Sequence, residues 1–316
     1  MNTAYPFGSE INHRDVIERE LRWLLHAVPL WSSDPSIDCV PLSKICNGSV
    51  SQIADYLAKE WAWHGAPKRL GRRFESLMTA LLEQTDTVKL LKHGLVIQEG
   101  KQTVGELDYL IATSSDILHL EVAIKFYAGI GDPNDRQSHT GWIGPSCQDR
   151  LDRKVNHICS HQLPLSGSRN GLMSLHKAGL PTPTIRLGLI YGYLLHPWTD
   201  ANHKPDDIVT SQPAFWCTYD ERLEATRKLI RPYSSDYGWT LVNRNQWIST
   251  FEGLAELPNL LKAIRVPEQA DCYVLCPKRN VDIEKLRLFI MPESFRDEAN
   301  ISLARAKKEE YQSSES

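Results

Sequence analysis

Between Leu118 and Phe126 the chain alternates without a break. Leu118, Leu120, Val122, Ile124 and Phe126 fall on one face of an extended segment, and His119, Glu121, Ala123 and Lys125 fall on the other. A period of two predicts a β-strand that packs on a core by its apolar face. The opposite face then carries a carboxylate and an ammonium inward, where a charge is costly unless it is paired or bound to a cation. Upstream, Gly105-Glu106-Leu107-Asp108-Tyr109-Leu110-Ile111-Ala112 leads into Thr113-Ser114-Ser115-Asp116, small polar residues suited to a tight turn. With Ser114 and Ser115 at its centre, Ala112 stands opposite Ile117 and Asp108 opposite Glu121. Carboxylates so placed lie about 4.5–5.5 Å apart at Cβ and repel each other. A divalent cation removes that repulsion, since Mg2+ is held by one or two carboxylates together with waters and phosphates. A slip of one residue would turn Asp108 away, and an exposed edge hairpin with solvated charges is the competing reading.

Apolar residues at helical spacing predict helices over 13–31, 51–63 and 70–83, the last with Phe74, Leu77, Met78, Leu81 and Leu82 on one face. Strands are expected at 92–98, 104–112 and 117–126. A Gly-, Pro-, Asp- and Asn-rich loop follows at 128–145. Next come a helix from Cys147 to His161, capped by Ser146 and Asp149, and a buried strand from Ile185 to Leu195. The core order is therefore helix, three-strand meander, helix, strand. Beyond about residue 200 the pattern weakens, with strands expected at 215–219 and 272–275 and helices at 221–229, 245–251 and 257–264. This divides the chain into an N-terminal helical region packed on the core (1–65), the core (66–198), a mixed extension (199–300) and a flexible Ser- and Glu-rich tail (301–316).

Composition narrows the classes. A chain of 316 residues that is 41% hydrophobic can bury one large core or two modest ones. The net charge of −3 supplies no general positive field, so any nucleic-acid contact must rest on a local patch helped by metal. No window approaches 18 consecutive apolar residues, so a membrane-spanning helix is not expected. The first residues show no secretory pattern, and seven scattered cysteines suit reduced thiols; a cytoplasmic location is the expectation.

Several candidates have two readings on their residues alone. Glu75 either joins an acidic site or pairs with Arg72 three positions back. Arg72 and Arg73 form a phosphate patch or a solvated helix end. Arg150 and Lys154, four apart, suit a phosphate backbone. Glu106 is a ligand or a rim charge, and His119 a structural histidine more readily than a ligand. His157 and His161 have chelating spacing but no third partner. Cys272 and Cys276 lack a second metal-binding pair. No phosphate-binding glycine loop or nucleophile elbow is present.

The element order, with Leu70-Gly71-Arg72-Arg73-Phe74-Glu75, Gly105-Glu106-Leu107-Asp108, Glu121-Val122-Ala123-Ile124-Lys125-Phe126-Tyr127 and Gly144-Pro145 through Asp149-Arg150-Leu151, resembles the PD-(D/E)xK nuclease-like superfamily. More closely, the chain resembles a bacterial family of unknown function usually grouped with it. The superfamily likeness spans about residues 66 to 195. It implies an α/β fold with a restriction-endonuclease-like core, N-terminal helices and a mixed α+β C-terminal extension. It further implies Mg2+ (or Mn2+) on Asp108 and Glu121, with Lys125 positioning the attacking water and Glu75 bracing the acidic cluster. Arg72, Arg73, Arg150 and Lys154 would hold a nucleic acid, DNA in preference to RNA. One position departs from the pattern. Ala123 stands where the superfamily places lysine, and Lys125 is about 6.6–6.8 Å further along the strand. The alternative is a non-catalytic binding or assembly protein, with a protein partner, on a degenerate nuclease core.

Overall fold

The computed structural model describes residues 13–34, 42–44, 46–202, 213–253 and 266–314. Its elements begin with α1 (His13–His26), a two-residue strand β1 (Trp31–Ser32), α2 (Val50–His64) and α3 (Leu70–Glu83). The meander β2 (Lys89–Glu99), β3 (Gln102–Ala112) and β4 (Ile117–Gly129) follows. After it come α4 (Pro133–Gln137), β5 (Trp142–Ile143), α5 (Leu151–His157), a π turn (Ile158–Gln162), α6 (Leu163–Leu165), α7 (Arg169–Lys177) and β6 (Ile185–Pro197). The last part holds β7 (Ala214–Thr218), α8 (Arg222–Ile230), β8 (Tyr237–Val242), β9 (Glu252–Gly253), β10 (Asp271–Pro277), β11 (Asp282–Ile283), β12 (Arg287–Met291) and α9 (Phe295–Ser314).

One mixed sheet runs through the molecule in the order β2-β3-β4-β6-β7-β12-β10-β8, with β1 added to β6 and β5 to β4. Its centre is parallel, from β4 through β6 and β7 to β12, and its two ends are antiparallel. The central strands are covered on both faces, which is why β6 and β12 read as nearly continuous apolar runs. Helices α1 to α3 cover Leu118, Leu120, Leu189 and Tyr191. On the other face Leu151, Ile158 and Leu163 pack on Tyr127 and Ile190, and Leu175 of α7 on Leu107 and Leu110. The strands after residue 199 extend the same sheet; α8 packs there with Phe215 and Leu288, and α9 with Trp216 and Phe289. Among the described residues no helix is long and apolar enough to cross a membrane.

Several local expectations need correcting. The helix placed at Cys147 starts only at Leu151, because the amide of Gly144 bonds the Asp149 carbonyl at 2.8 Å and closes 144–149 as a loop. The 128–145 segment is ordered by α4 and by β5, whose Trp142 and Ile143 pair with Gly129 and Ala128. Only a short 3-10 turn, Arg244–Gln246, occupies the helix expected at 245–251. The helix expected at 257–264 lies outside the described residues. The tail expected to fray from residue 301 continues α9, with Leu303 and Ala306 buried.

Candidate active site

The turn forms as its residues dictate. Thr113 N donates to the Asp116 carbonyl at 2.9 Å, and Ala112 pairs with Ile117. From there the β3–β4 ladder runs to Tyr109 opposite Leu120 and stops. At the next position the side chains replace the main-chain bonds. The amide of Asp108 donates to Glu121 Oε1 at 3.2 Å, and the amide of Val122 donates to Asp108 Oδ2 at 3.1 Å. The strands therefore part where two carboxylates are wedged between them.

Glu121 is fully buried and held from several directions. His119 Nε2 lies 2.7 Å from its Oε1, and the Gln162 side-chain amide donates to its Oε2. Gln162 reaches it from the last position of the π turn, where Leu163 N bonds the Ile158 carbonyl five residues back. The turn has a local cause: Pro164 has no N–H, and its ring clashes with the carbonyl four residues earlier. Gly188, beside Glu121 on β6, lets this turn approach closely; a Cβ there would lie 2.5 Å from Ile158 Cγ2. The Gln162 side-chain oxygen Oε1 in turn accepts from Lys154 Nζ at 3.0 Å. Further along β4, Lys125 Nζ meets Asp149 Oδ2 at 2.6 Å, and the Tyr127 hydroxyl donates to the same oxygen at 3.3 Å.

The electrostatics follow from crowding. Burial first, and the charge of Glu121 second, raise the Asp108 carboxyl well above the ordinary carboxylate range, to about 7. The Val122 amide and Lys154 oppose that rise without cancelling it. Lys154 is pulled below the usual lysine value by burial and then by Lys125, against the attraction of Asp108, Glu121 and Asp149. Burial, Lys154 and His161 lower the pKa of His157, while the charge of Glu121 acts on it in the opposite sense. Three carboxylates thus share the site with two ammonium groups.

The other anticipated residues are distributed unevenly. Lys154 joins Asp108, Glu121 and Lys125. Glu75 does not: its carboxylate is 43% exposed and sits 3.4 Å from Arg72, on the helix that covers the Tyr109 and Leu120 face. Arg73 is no phosphate contact, because it is 4% exposed, forms a bidentate pair with buried Glu20 and lies over the Trp61 ring. Arg150 is likewise 3% exposed, bound to Asp152 and to Glu309 of α9. It precedes α5 instead of sharing a helix face with Lys154. Exposed Arg72 keeps its access to solvent. Asp149, Gln162 and Ser166 were not anticipated at the site. Among the described residues no three His, Cys, Asp or Glu side chains gather as a group that could hold a metal ion.

Fold and site together define a mixed α/β protein with a carboxylate pair, Glu121 buried and Asp108 half-buried, where two sheet strands separate. Residues 19–262 match the family described as a domain of unknown function, DUF1853, and the chain belongs to that family. No curated protein and no solved structure matches it.

Proposed function

We propose that this protein is a metal-dependent phosphodiesterase acting on DNA, built on a restriction-endonuclease-like core. The observation that carries the reading is the wedge of Asp108 and Glu121 between β3 and β4, each receiving an amide of the other strand. The donor set fits a hard cation: two carboxylates, no sulfur, and an Asp108 carboxyl that burial and the neighbouring charge of Glu121 raise to about 7. Mg2+ or Mn2+ bound there would polarise a phosphate and lower the pKa of an attacking water. With both carboxylates and Asp149 ionised, the two lysines leave one negative charge, and a divalent cation turns this into one positive charge suited to a phosphodiester. Gln162 keeps Glu121 and Lys154 in fixed relation. Lys154 and Lys125 are the groups that stabilise charge developing on the phosphate. Purified protein is expected to cleave DNA with Mg2+ or Mn2+, and Asp108→Ala to abolish it. Cleavage that needs no metal and survives that change would overturn the assignment.

A second reading, a non-catalytic binding or assembly module, is favoured by one feature. The strand lysine is engaged by Asp149, and Ala123 occupies the position where the superfamily has its own. Calorimetry with Mn2+ on the wild type and Glu121→Ala separates the two. Binding that depends on Glu121 supports the enzyme; its absence, with tight binding to a protein partner, supports the module.

A further inference from the structure

Of the groups that hold Glu121, His119 is the one whose role depends on where a proton sits. A neutral imidazole has one N–H. With hydrogen on Nε2, His119 donates to the Glu121 carboxylate 2.7 Å away; with hydrogen on Nδ1, a lone pair faces that carboxylate instead. The partners at the two nitrogens therefore decide the tautomer together. At 3.0 Å from Nδ1 lies the hydroxyl of Ser166, in the turn after α6. The same hydroxyl accepts the Nε–H of Arg186 at 2.9 Å. A hydroxyl has one hydrogen and two lone pairs, and a guanidinium only donates. Arg186 takes one lone pair and leaves the hydroxyl its hydrogen and a second lone pair, so Ser166 can meet either tautomer. At the other end a carboxylate only accepts, so the 2.7 Å contact puts the ring hydrogen on Nε2, and the Ser166 hydrogen then meets a lone pair at Nδ1. The chain then runs from Arg186 to Ser166, from Ser166 to His119 and from His119 to Glu121.

The chain is built across elements and not within one. His119 and Arg186 are register partners on the parallel strands β4 and β6, while Ser166 comes from the helical side of the sheet. His119, Ser166 and Glu121 are all fully buried, so water does not compete for these bonds. An arrangement this enclosed, ending on the carboxylate that receives the Asp108 amide, constrains that carboxylate's rotation.

We propose that His119 is a positioning residue, held by Ser166 and Arg186 as the Nε2–H tautomer, which fixes the Glu121 carboxylate in its cation-facing orientation. The cation in this statement rests on the reading given under the proposed function; the tautomer does not. Partners of this kind set the orientation of a metal-binding group, and losing one typically costs about 10–100-fold in affinity.

The test uses the full chain with histidine nitrogens labelled, read by NMR without added metal, and Mn2+ calorimetry on the same samples. The wild type is expected to show His119 protonated at Nε2. Ser166→Ala is expected to release the second tautomer and weaken Mn2+ binding about tenfold or more. Arg186→Met, altered at an exposed residue and so safer for folding, is expected to act in the same direction. His119→Gln, which keeps an N–H donor, should retain more affinity than His119→Leu. An Nδ1–H tautomer in the wild type would overturn the proposal. So would unchanged nitrogen signals and Mn2+ affinity in both Ser166→Ala and Arg186→Met. If the wild type and Asp108→Asn bind Mn2+ equally or not at all, the metal reading fails, and the nitrogen spectra still decide the tautomer.

Discussion

At the scale of single residues, the site concentrates its unusual chemistry in Asp108. Its carboxyl titrates at about 7 in the folded chain against an ordinary 3.8, so between those values the folded state holds a proton that the unfolded state has lost. Stability of the metal-free protein therefore falls as pH rises from about 4 to 7, and levels off above that. Asp108→Asn removes the dependence. In chelator, the variant is expected to be more stable than the wild type above pH 7, on the order of 2 kcal/mol, and to lose that advantage at pH 4. Thermal melts across this range check it, and a wild type that gains stability from pH 4 to 7 relative to the variant would contradict the crowding argument. Divalent cation should reverse the ranking at pH 8 by binding only the wild type. The two lysines are separable in the same way. Lys154→Met removes the ammonium bonded to Gln162, so it should reduce cleavage more than Lys125→Met, since Lys125 lies further along β4 and is engaged by Asp149.

At the scale of elements, what holds the helices to the sheet is a small number of buried ties. Glu20 of α1 and Arg73 of α3 form a desolvated ion pair, and removing either partner leaves the other charge buried. Arg73→Met is expected to cost ~3–5 kcal/mol in denaturant unfolding. Arg72→Ala, one position earlier on the exposed face, should cost less than about 0.5 kcal/mol and weaken DNA binding if that arginine contacts phosphate. Much of this layer was readable in advance. Helix α3, the 113–116 turn and the two faces of β4 come from local periodicity and turn chemistry, which act within a few residues. The ties were not readable. Arg73 finds Glu20 53 residues away, and Arg150 finds Glu309 159 residues away, so neither arginine's burial leaves a mark on its neighbours in sequence. Gln162 and Asp149 escaped for a related reason. A π turn before Pro164 and a closed loop at Gly144–Asp149 set their positions, and neither has the 3.6-residue period. Gly192 shows the same limit from the other side. In sequence it interrupts an apolar strand; in the fold its φ of 131° and a Cβ that would lie 1.7 Å from the Lys125 carbonyl make it indispensable to the β4–β6 contact.

For the whole molecule, the question is what a helix at the far end of the chain does for a site made of residues 108 to 166. Helix α9 buries Ala299 and Leu303 in the core shared with Phe126, pairs Lys307 with Asp135, and sends Glu309 to Arg150 and Arg153. Arg150 adjoins Asp149, the partner of Lys125, so α9 braces the loop that carries one wall of the site. The contributions are unequal. The Arg153–Glu309 pair is half-exposed on both sides and belongs to a class worth about 0–1 kcal/mol, whereas a buried leucine is worth about 1.5–3 kcal/mol. Leu303→Ala is therefore expected to destabilise the protein more than Glu309→Gln. Truncation after Asn300 removes both and also leaves the Arg150 guanidinium with Asp152 alone. The truncated chain should melt earlier, and limited proteolysis of what remains folded should cut first within residues 130–150. Its Mn2+ affinity should fall less than that of Glu121→Ala, because the bonds that hold Glu121 and Asp108 come from His119, Gln162 and Val122, on β4 and the π turn. Equal protease resistance of the 130–150 segment in the truncated and full-length proteins would show that the loop holds itself, and that α9 serves the core alone.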